Sequence, residues 1–330
     1  MTRDQCSPVA WRPSRRDLLY LGIGGLVAAV PFARRAPLAL VRRHVLTMGT
    51  IAEFAVAHRD PAQAAVAIDR AVEALRLVDD TMSRFTPASD IGRANLHAAR
   101  GPVPVCEGTR AVLMESLWWA DASGGEFDPC LGGASALWDI PNRREPPPAG
   151  AVARLADRHL FRTLEVDRRQ GSPVVRFHDA DAQLDLGGIA KGYGVDRAVA
   201  ALREQGIEHA LVGAGGDLYA LGRSPAGEPW QVGIQAPDDP RALAGSLYLE
   251  NAAVATSGDY QQYFEFRSRR YHHLLDPATA EPRQSPQRSV SVIAETCMAA
   301  DAAATLAFGA RAVDAARILA RRGARIAHQI

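Results

Sequence analysis

A mixed α and β fold is predicted by three features of the sequence. Apolar residues recur at helical spacing from Ala62 to Met82 (Ala65, Ile68, Val72, Leu75, Val78, Met82), with Asp69, Arg70, Glu73, Arg76 and Asp80 between them, the pattern of an amphipathic helix. Short apolar and β-branched runs beyond residue 160 read as strands. A chain of 330 residues that is 47% hydrophobic and 23% charged can bury one sizeable core or two modest ones, which excludes a disordered polymer.

The N-terminus reads as a targeting segment. Ser14, Arg15, Arg16, Asp17, Leu18 and Leu19 stand at the head of an uncharged run from Leu18 to Ala33, a twin-arginine export pattern. Residues 1–40 are therefore expected to be an export signal and 41–330 the folded domain, delivered to the periplasm. The run contains Gly22, Gly24 and Gly25 and falls short of the ~20 apolar residues that span a bilayer. Pro31-Phe32-Ala33 is an imperfect cleavage site followed by Arg34 and Arg35, so the segment is either removed or kept as an inner-membrane anchor. Cys6 falls inside it and leaves Cys106, Cys130 and Cys297, an odd number without zinc-ligand spacing, so no disulfide framework is expected.

Further along, Thr109 to Ser123 carries Leu113, Leu117 and Trp118 at helical spacing and stops at Gly124-Gly125. The segment PNRREPPPAG at 141–150 is too rich in proline for helix or strand and is read as a linker between two lobes. Strands are expected at Thr163–Val166, Val174–His178, Gln231–Gln235, Ser246–Leu249 and Ser289–Ala294, and helices at Tyr193–Gln205 and Ala299–Phe308. Lys plus Arg (38) nearly cancel Asp plus Glu (37), so nothing in the charge balance points to nucleic acid or to an anionic membrane surface. Any anionic ligand must be held locally.

Four clusters carry chemistry. In Gln183-Leu184-Asp185-Leu186-Gly187-Gly188-Ile189-Ala190-Lys191-Gly192-Tyr193 a strand is expected to run into a glycine turn and a helix beginning near Ala190. Such a turn can hold phosphate through backbone N–H groups, the helix N-terminus and the Lys191 ammonium, with Asp185 free to hold a base or a metal; equally, it can be only a tight turn. Gly213-Ala214-Gly215-Gly216-Asp217 follows the apolar Ala210-Leu211-Val212, but Leu218 to Leu221 alternate like a strand, so a hairpin beside the site is expected and not a dinucleotide fold. Thr256-Ser257-Gly258-Asp259-Tyr260 is followed by Tyr271-His272-His273-Leu274-Leu275-Asp276-Pro277, in which His273 is the candidate proton acceptor. The adjacent His272 leaves that assignment ambiguous. In Thr296-Cys297-Met298-Ala299-Ala300-Asp301-Ala302-Ala303-Ala304-Thr305, Asp301 and Thr305 lie one helical turn apart on one face, and their oxygens suit a hard cation such as Mg²⁺. The N-terminal half adds Met48-Gly49-Thr50, Met82-Ser83-Arg84-Phe85 and Phe127-Asp128-Pro129, whose Met and Phe side chains belong in a core or against a planar ring.

Taken in this order, MGT, SRF, FDP with LW, DLGGIAKGY, AGGD, TSGDY, HLLDP and ETCMAADAAAT resemble the ApbE family of FAD:protein FMN transferases over roughly Met48 to Gly309. The resemblance implies an α+β body of largely antiparallel sheets with flanking helices and an active-site cleft between lobes. It implies a Mg²⁺ ion held by Asp301, Thr305 and the backbone carbonyl of Gly188, and FAD contacts at Met48, Phe85, Glu126, Phe127, Asp128, Asp185, Lys191 and Leu275. His273 matches the histidine that acts at the target hydroxyl. The implied product is FMN joined by a phosphoester to a Thr or Ser of an exported or membrane electron-transfer protein, with AMP leaving. The sequence departs from the family's usual pattern at Cys130 (usually Thr), Gly132-Gly133 (Gly-Pro) and Trp138-Asp139 (Trp-Gly). Two further readings use the same residues: an FAD pyrophosphatase giving FMN and AMP, and a periplasmic flavin carrier without turnover. Retention of Asp301, Thr305 and His273 argues against the carrier, since a binder needs no base.

Overall fold

The computed structural model describes residues 38–310 and 312–330, so the expected export signal, apart from residues 38–40, lies outside the described residues. The chain opens with β1 (Ala39–Thr47) and β2 (Thr50–His58), a hairpin turned by Met48 and Gly49, both with positive φ. Then come α1 (Pro61–Met82), α2 (Asp90–His97), β3 (Val103–Pro104), α3 (Glu107–Ala122), α4 (Gly132–Trp138), α5 (Ala149–Ala153), β4 (Leu164–Arg169), β5 (Ser172–Phe177) and α6 (Ala190–Glu204). The second half holds β6 (Ala210–Ala214), β7 (Asp217–Leu221), β8 (Trp230–Ala236), β9 (Asp239–Leu249), β10 (Ala252–Gly258), β11 (Tyr263–Phe266), β12 (Arg269–His272), β13 (Leu275–Asp276), β14 (Glu281–Pro282), β15 (Ser289–Ala294), α7 (Cys297–Gly309), α8 (Ala312–Ala320) and β16 (Arg325–Gln329).

The main sheet has seven strands in the order β1-β2-β6-β7-β10-β15-β16, each pair antiparallel. Strand alternation sends Ala52, Phe54 and Val56 of β2 to one face, where they join Ile68, Val72 and Leu75 of α1, Val195 and Leu202 of α6 and the alanines of α7 in the main core. The other face, with Ala55, Leu211, Ala220 and Val254, is covered by Trp230, Val232 and Leu249 of the β8–β9 hairpin. A smaller cluster of Ala134, Trp138, Val152, Phe264, Tyr271 and Leu275 ties α4 and α5 to the β11–β12 and β13–β14 hairpins. This is the expected α+β arrangement of antiparallel sheets flanked by helices.

Several expectations are corrected. Gln183-Leu184-Asp185 is not a strand: Gln183 makes an isolated bridge to Leu131, while the Asn95 side chain takes both the N–H and the carbonyl of Leu184. A side chain has consumed the backbone groups that a ladder would need. The strand expected at Ser246–Leu249 is the end of the longer β9, and α8 and β16 extend the chain beyond α7, with β16 closing the sheet edge on β15. The proline-rich segment at 141–150 forms no helix or strand as far as Pro148, but its last two residues, Ala149 and Gly150, open α5; the main core draws on residues from both sides of it, Leu113 and Phe127 before and Leu160 and Phe177 after.

One contact fixes how α7 meets α6. The half-buried Asp196 of α6 accepts the Cys297 and Met298 amides at 2.8 and 2.9 Å, capping the first turn of α7 together with Thr296. Burial raises its pKa to about 6 despite these two donors. Asp196→Ala is expected to cost about 1–3 kcal/mol in urea unfolding at neutral pH, because two helix amides lose their acceptor. An acid whose folded pKa is raised loses stability as pH climbs from its unfolded to its folded value. The variant should therefore show a shallower fall in stability between pH 4 and about 6; an unchanged slope would count against the raised value.

Candidate active site

The first turn of α6 and the middle of α7 cross at very close range, and the sequence permits it through one glycine. A Cβ on Gly192 would stand 2.2 Å from the Cys297 carbonyl oxygen and 2.8 Å from Asp301 Cβ. With no side chain there, the Gly192 N–H reaches Asp301 Oδ2 at 3.0 Å. Ala300, Ala302, Ala303 and Ala304 surround Asp301 on α7 and are all buried, so the helix is packed on every side and the carboxylate has been carried into the interior.

Lys191 meets it there. Its Nζ donates to Asp217 at 3.0 Å, to both Asp301 oxygens at 3.3 Å and to the Gly187 carbonyl at 3.2 Å. Asp217 is the first residue of β7, placed beneath α6 by the Gly215-Gly216 turn, in which both residues have positive φ. Burial works against charge on Lys191, but the two carboxylates outweigh it and hold its pKa above the usual lysine value, so the ammonium persists. Burial, then the neighbouring Asp301, pushes Asp217 well above the carboxylate range, with Lys191 opposing.

Thr305, one turn further along α7, faces the glycine turn, its Oγ1 3.5 Å from the Gly188 carbonyl. Asp301, Thr305 and Gly188 thus bring a carboxylate, a hydroxyl and a carbonyl to one place, all hard oxygen donors that fit a magnesium ion. Among the described residues no group of three or more His, Cys, Asp and Glu forms a metal cage. So sparse a donor set leaves coordination positions for phosphate oxygens and water.

The two histidines part at the end of β12. His272, the last residue of β12, is buried against Phe308; its Nδ1 accepts the Leu274 amide at 3.3 Å and its Nε2 lies 3.0 Å from the Arg283 carbonyl. Both ring nitrogens are engaged, which fixes the neutral tautomer with the proton on Nε2. His273 faces outward and is solvent-exposed, with only a long 3.4 Å approach of Nδ1 to the Gln262 carbonyl. Desolvation of the ring lowers its pKa below the usual histidine value, His272 and Lys191 add to this, and the Gln262 carbonyl and Asp185 oppose. At neutral pH His273 is an unprotonated base within the field of the α6 turn.

The remaining expected contacts fall into two sets. Met48 packs its sulfur against Gly194 of α6 while its N–H donates to Asp79 at 2.6 Å, and Thr50 of the same hairpin touches Gly215. Asp185 is paired with Arg84 at 3.1 Å, and that guanidinium lies 4.2 Å from the ring of Phe85, which is 77% exposed. A pocket of about 240 Å³ lined by Arg84, Pro87, Gly92, Asn95, Gly132 and Gln183 opens beside this pair. By contrast Phe127 is a core residue, Asp128 is buried with its carboxylate on the Cys130 amide at 2.7 Å, and Leu275 packs in the cluster around Trp138. Glu126 is exposed and bonded to Arg283.

Asp217, Arg84 and Arg283 were not singled out from sequence. Asp217 ends the AGGD run, whose glycines indicate a turn; its meeting with Lys191 and Asp301 depends on strand register. Arg283, buried, donates to the carbonyls of Glu126 and Leu275 and presents its own carbonyl to His272, joining three stretches that are remote in sequence. No local motif marks it.

The family model described as the ApbE family matches residues 48–328. FAD:protein FMN transferases of Treponema pallidum and Vibrio cholerae are each 33% identical to the chain, over 92% and 72% of it and 86% and 70% of their own lengths. The crystal structure of the ApbE protein of Thermotoga maritima superposes with a TM-score of 0.78 at 28% identity, covering 87% of this chain and 93% of that one. The flavinyl transferase ApbE of Pseudomonas stutzeri gives 0.75 at 27% identity, over 89% and 92%. With a family match across most of its length and an oxygen-lined turn at the crossing of α6 and α7, the chain belongs to the ApbE family.

Proposed function

We propose that this protein transfers the FMN half of FAD to a Thr or Ser hydroxyl of an acceptor protein, through a phosphoester bond, with release of AMP. What supports this reading above all is that the hard-oxygen set of Asp301, Thr305 and Gly188 adjoins the Lys191 ammonium, with the base His273 within electrostatic reach of Lys191 and Asp185. Phosphoryl transfer asks a protein mainly for positioning and charge neutralisation. Asp301, Thr305 and the Gly188 carbonyl would hold a Mg²⁺ ion, which when bound supplies positive charge at the pyrophosphate.

The protein's own groups account for the rest. Lys191 adds a fixed positive charge beside the glycine turn, stabilising negative charge on the departing phosphate. Met48 and the exposed Phe85 offer apolar surface to the adenine and flavin rings. His273 accepts the proton of the acceptor hydroxyl as its oxygen bonds to the FMN phosphorus; the bond from that phosphorus to the bridging oxygen breaks, and AMP leaves with the bridging oxygen. The Ser14-to-Leu19 motif and the apolar run after it favour export by the twin-arginine route to the periplasm, with an exported or membrane electron-transfer protein as acceptor.

His273→Ala should lower covalent flavin on an acceptor by about 10²–10⁴-fold while FAD binding persists, as read by in-gel fluorescence at matched occupancy. His272→Ala should affect transfer less, by loosening the fold. Because the His273 pKa lies below the ordinary 6.5, the base form survives mild acid, and the acid limb of the wild-type pH profile should fall below that value. Normal transfer by His273→Ala would overturn the assignment. AMP release without covalent flavin on any acceptor would favour a pyrophosphatase instead.

Asp301→Ala should abolish transfer and Thr305→Ala should be milder; full magnesium-dependent activity in Asp301→Ala would exclude this metal site. FAD should bind more tightly than FMN in calorimetry, and Phe85→Ala should narrow the gap. Equal or tighter FMN binding would remove the adenine contacts proposed for Met48 and Phe85.

A further inference from the structure

The geometry points to Asp217 as a positioning residue that draws the Lys191 ammonium away from Asp301 and so sets how tightly Asp301 holds a divalent cation. This rests on the metal reading of Asp301 given above. Lys191 Nζ is 3.0 Å from Asp217 Oδ2 and 3.3 Å from each Asp301 oxygen, so one ammonium is shared by two buried carboxylates on different elements. A cation taken up by Asp301 meets that ammonium on the same pair of oxygens, and like charges at such range repel strongly where water is excluded.

Asp301 cannot move aside to relieve the conflict. Its Oδ2 is held by the Gly192 amide at 3.0 Å, and its helix is packed into the core on all sides. Asp217 is equally fixed, at a strand start paired with Ala214 on one side and Ala255 on the other. The flexible member is the lysine, with a side chain 25% exposed. When a cation occupies Asp301, Asp217 is the partner that keeps the ammonium compensated and beside the phosphate site. Without Asp217, the ammonium has Asp301 as its sole carboxylate among these contacts and competes with the cation for it.

The test is calorimetric titration of Mg²⁺ into flavin-free protein, for wild type, Lys191→Met, Asp217→Asn, the double variant and Asp301→Ala. Lys191→Met should bind Mg²⁺ about tenfold more tightly than wild type, and Asp217→Asn about tenfold more weakly. The double variant should stay within about threefold of Lys191→Met, because Asp217 acts through the lysine. If Lys191→Met does not fold, Lys191→Gln, which keeps hydrogen-bonding capacity without the charge, takes its place. Weakening by Asp217→Asn that is equally large with and without the lysine would make Asp217 a direct ligand and overturn the inference. So would unchanged or weaker binding on removal of the lysine charge. Mg²⁺ binding that survives Asp301→Ala would overturn the metal reading and this inference with it, whereas Asp301-dependent binding without the lysine pattern overturns the inference alone.

Discussion

The buried ion cluster of Asp301, Lys191 and Asp217 is the constraint around which the rest of the structure is arranged. Two carboxylates in an apolar interior are tolerable only with a cation and hydrogen-bond donors beside them, and removing one partner from such a set typically costs about 3–5 kcal/mol. The fold meets the requirement from three directions: α7 brings Asp301, α6 brings Lys191 and the Gly192 amide, and the Gly215-Gly216 turn brings Asp217. Each needs a residue without bulk at the point of approach. That explains why glycines and alanines crowd these segments.

A second dependence runs through Arg283. It is buried, pairs with Glu126, bonds the Glu126 and Leu275 carbonyls, and offers its own carbonyl to His272. His272 is committed to this interior network, while His273, just past the end of β12, is left exposed. The chemical availability of His273 is therefore bound to the structural commitment of its neighbour, and two adjacent identical side chains acquire opposite roles where β12 ends and the chain turns.

Two of the departures from the family's usual pattern, at Asp139 and Cys130, are accommodated locally. Asp139 sits at the left-handed C-cap of α4 (φ 35, ψ 52), a conformation that suits the usual glycine, and its side chain accepts a bond from Asn142 at 2.9 Å. Cys130 is fully buried, its thiol pKa raised by burial and by Asp128, and it fills the threonine position as a small hydrophobe. None of these contacts of Asp139 and Cys130 involves Asp301, Thr305 or Gly188.

Short-range periodicity and chain order were legible in the amino-acid sequence alone. The α1 repeat, the start of α6 at Ala190, the placing of Asp301 and Thr305 on one face of α7, and the Gly215-Gly216 hairpin are all consequences of neighbours within a turn or two. The ordered motifs carried the family. Which polar groups meet is set by the three-dimensional fold: Asp217 shares Lys191 with Asp301, Arg84 pairs with Asp185, Arg283 links Glu126 to His272, and Asn95 occupies the backbone of Leu184 in place of the expected strand. These contacts join residues remote in the chain, so their formation depends on sheet register and helix crossing, which no local window of sequence encodes.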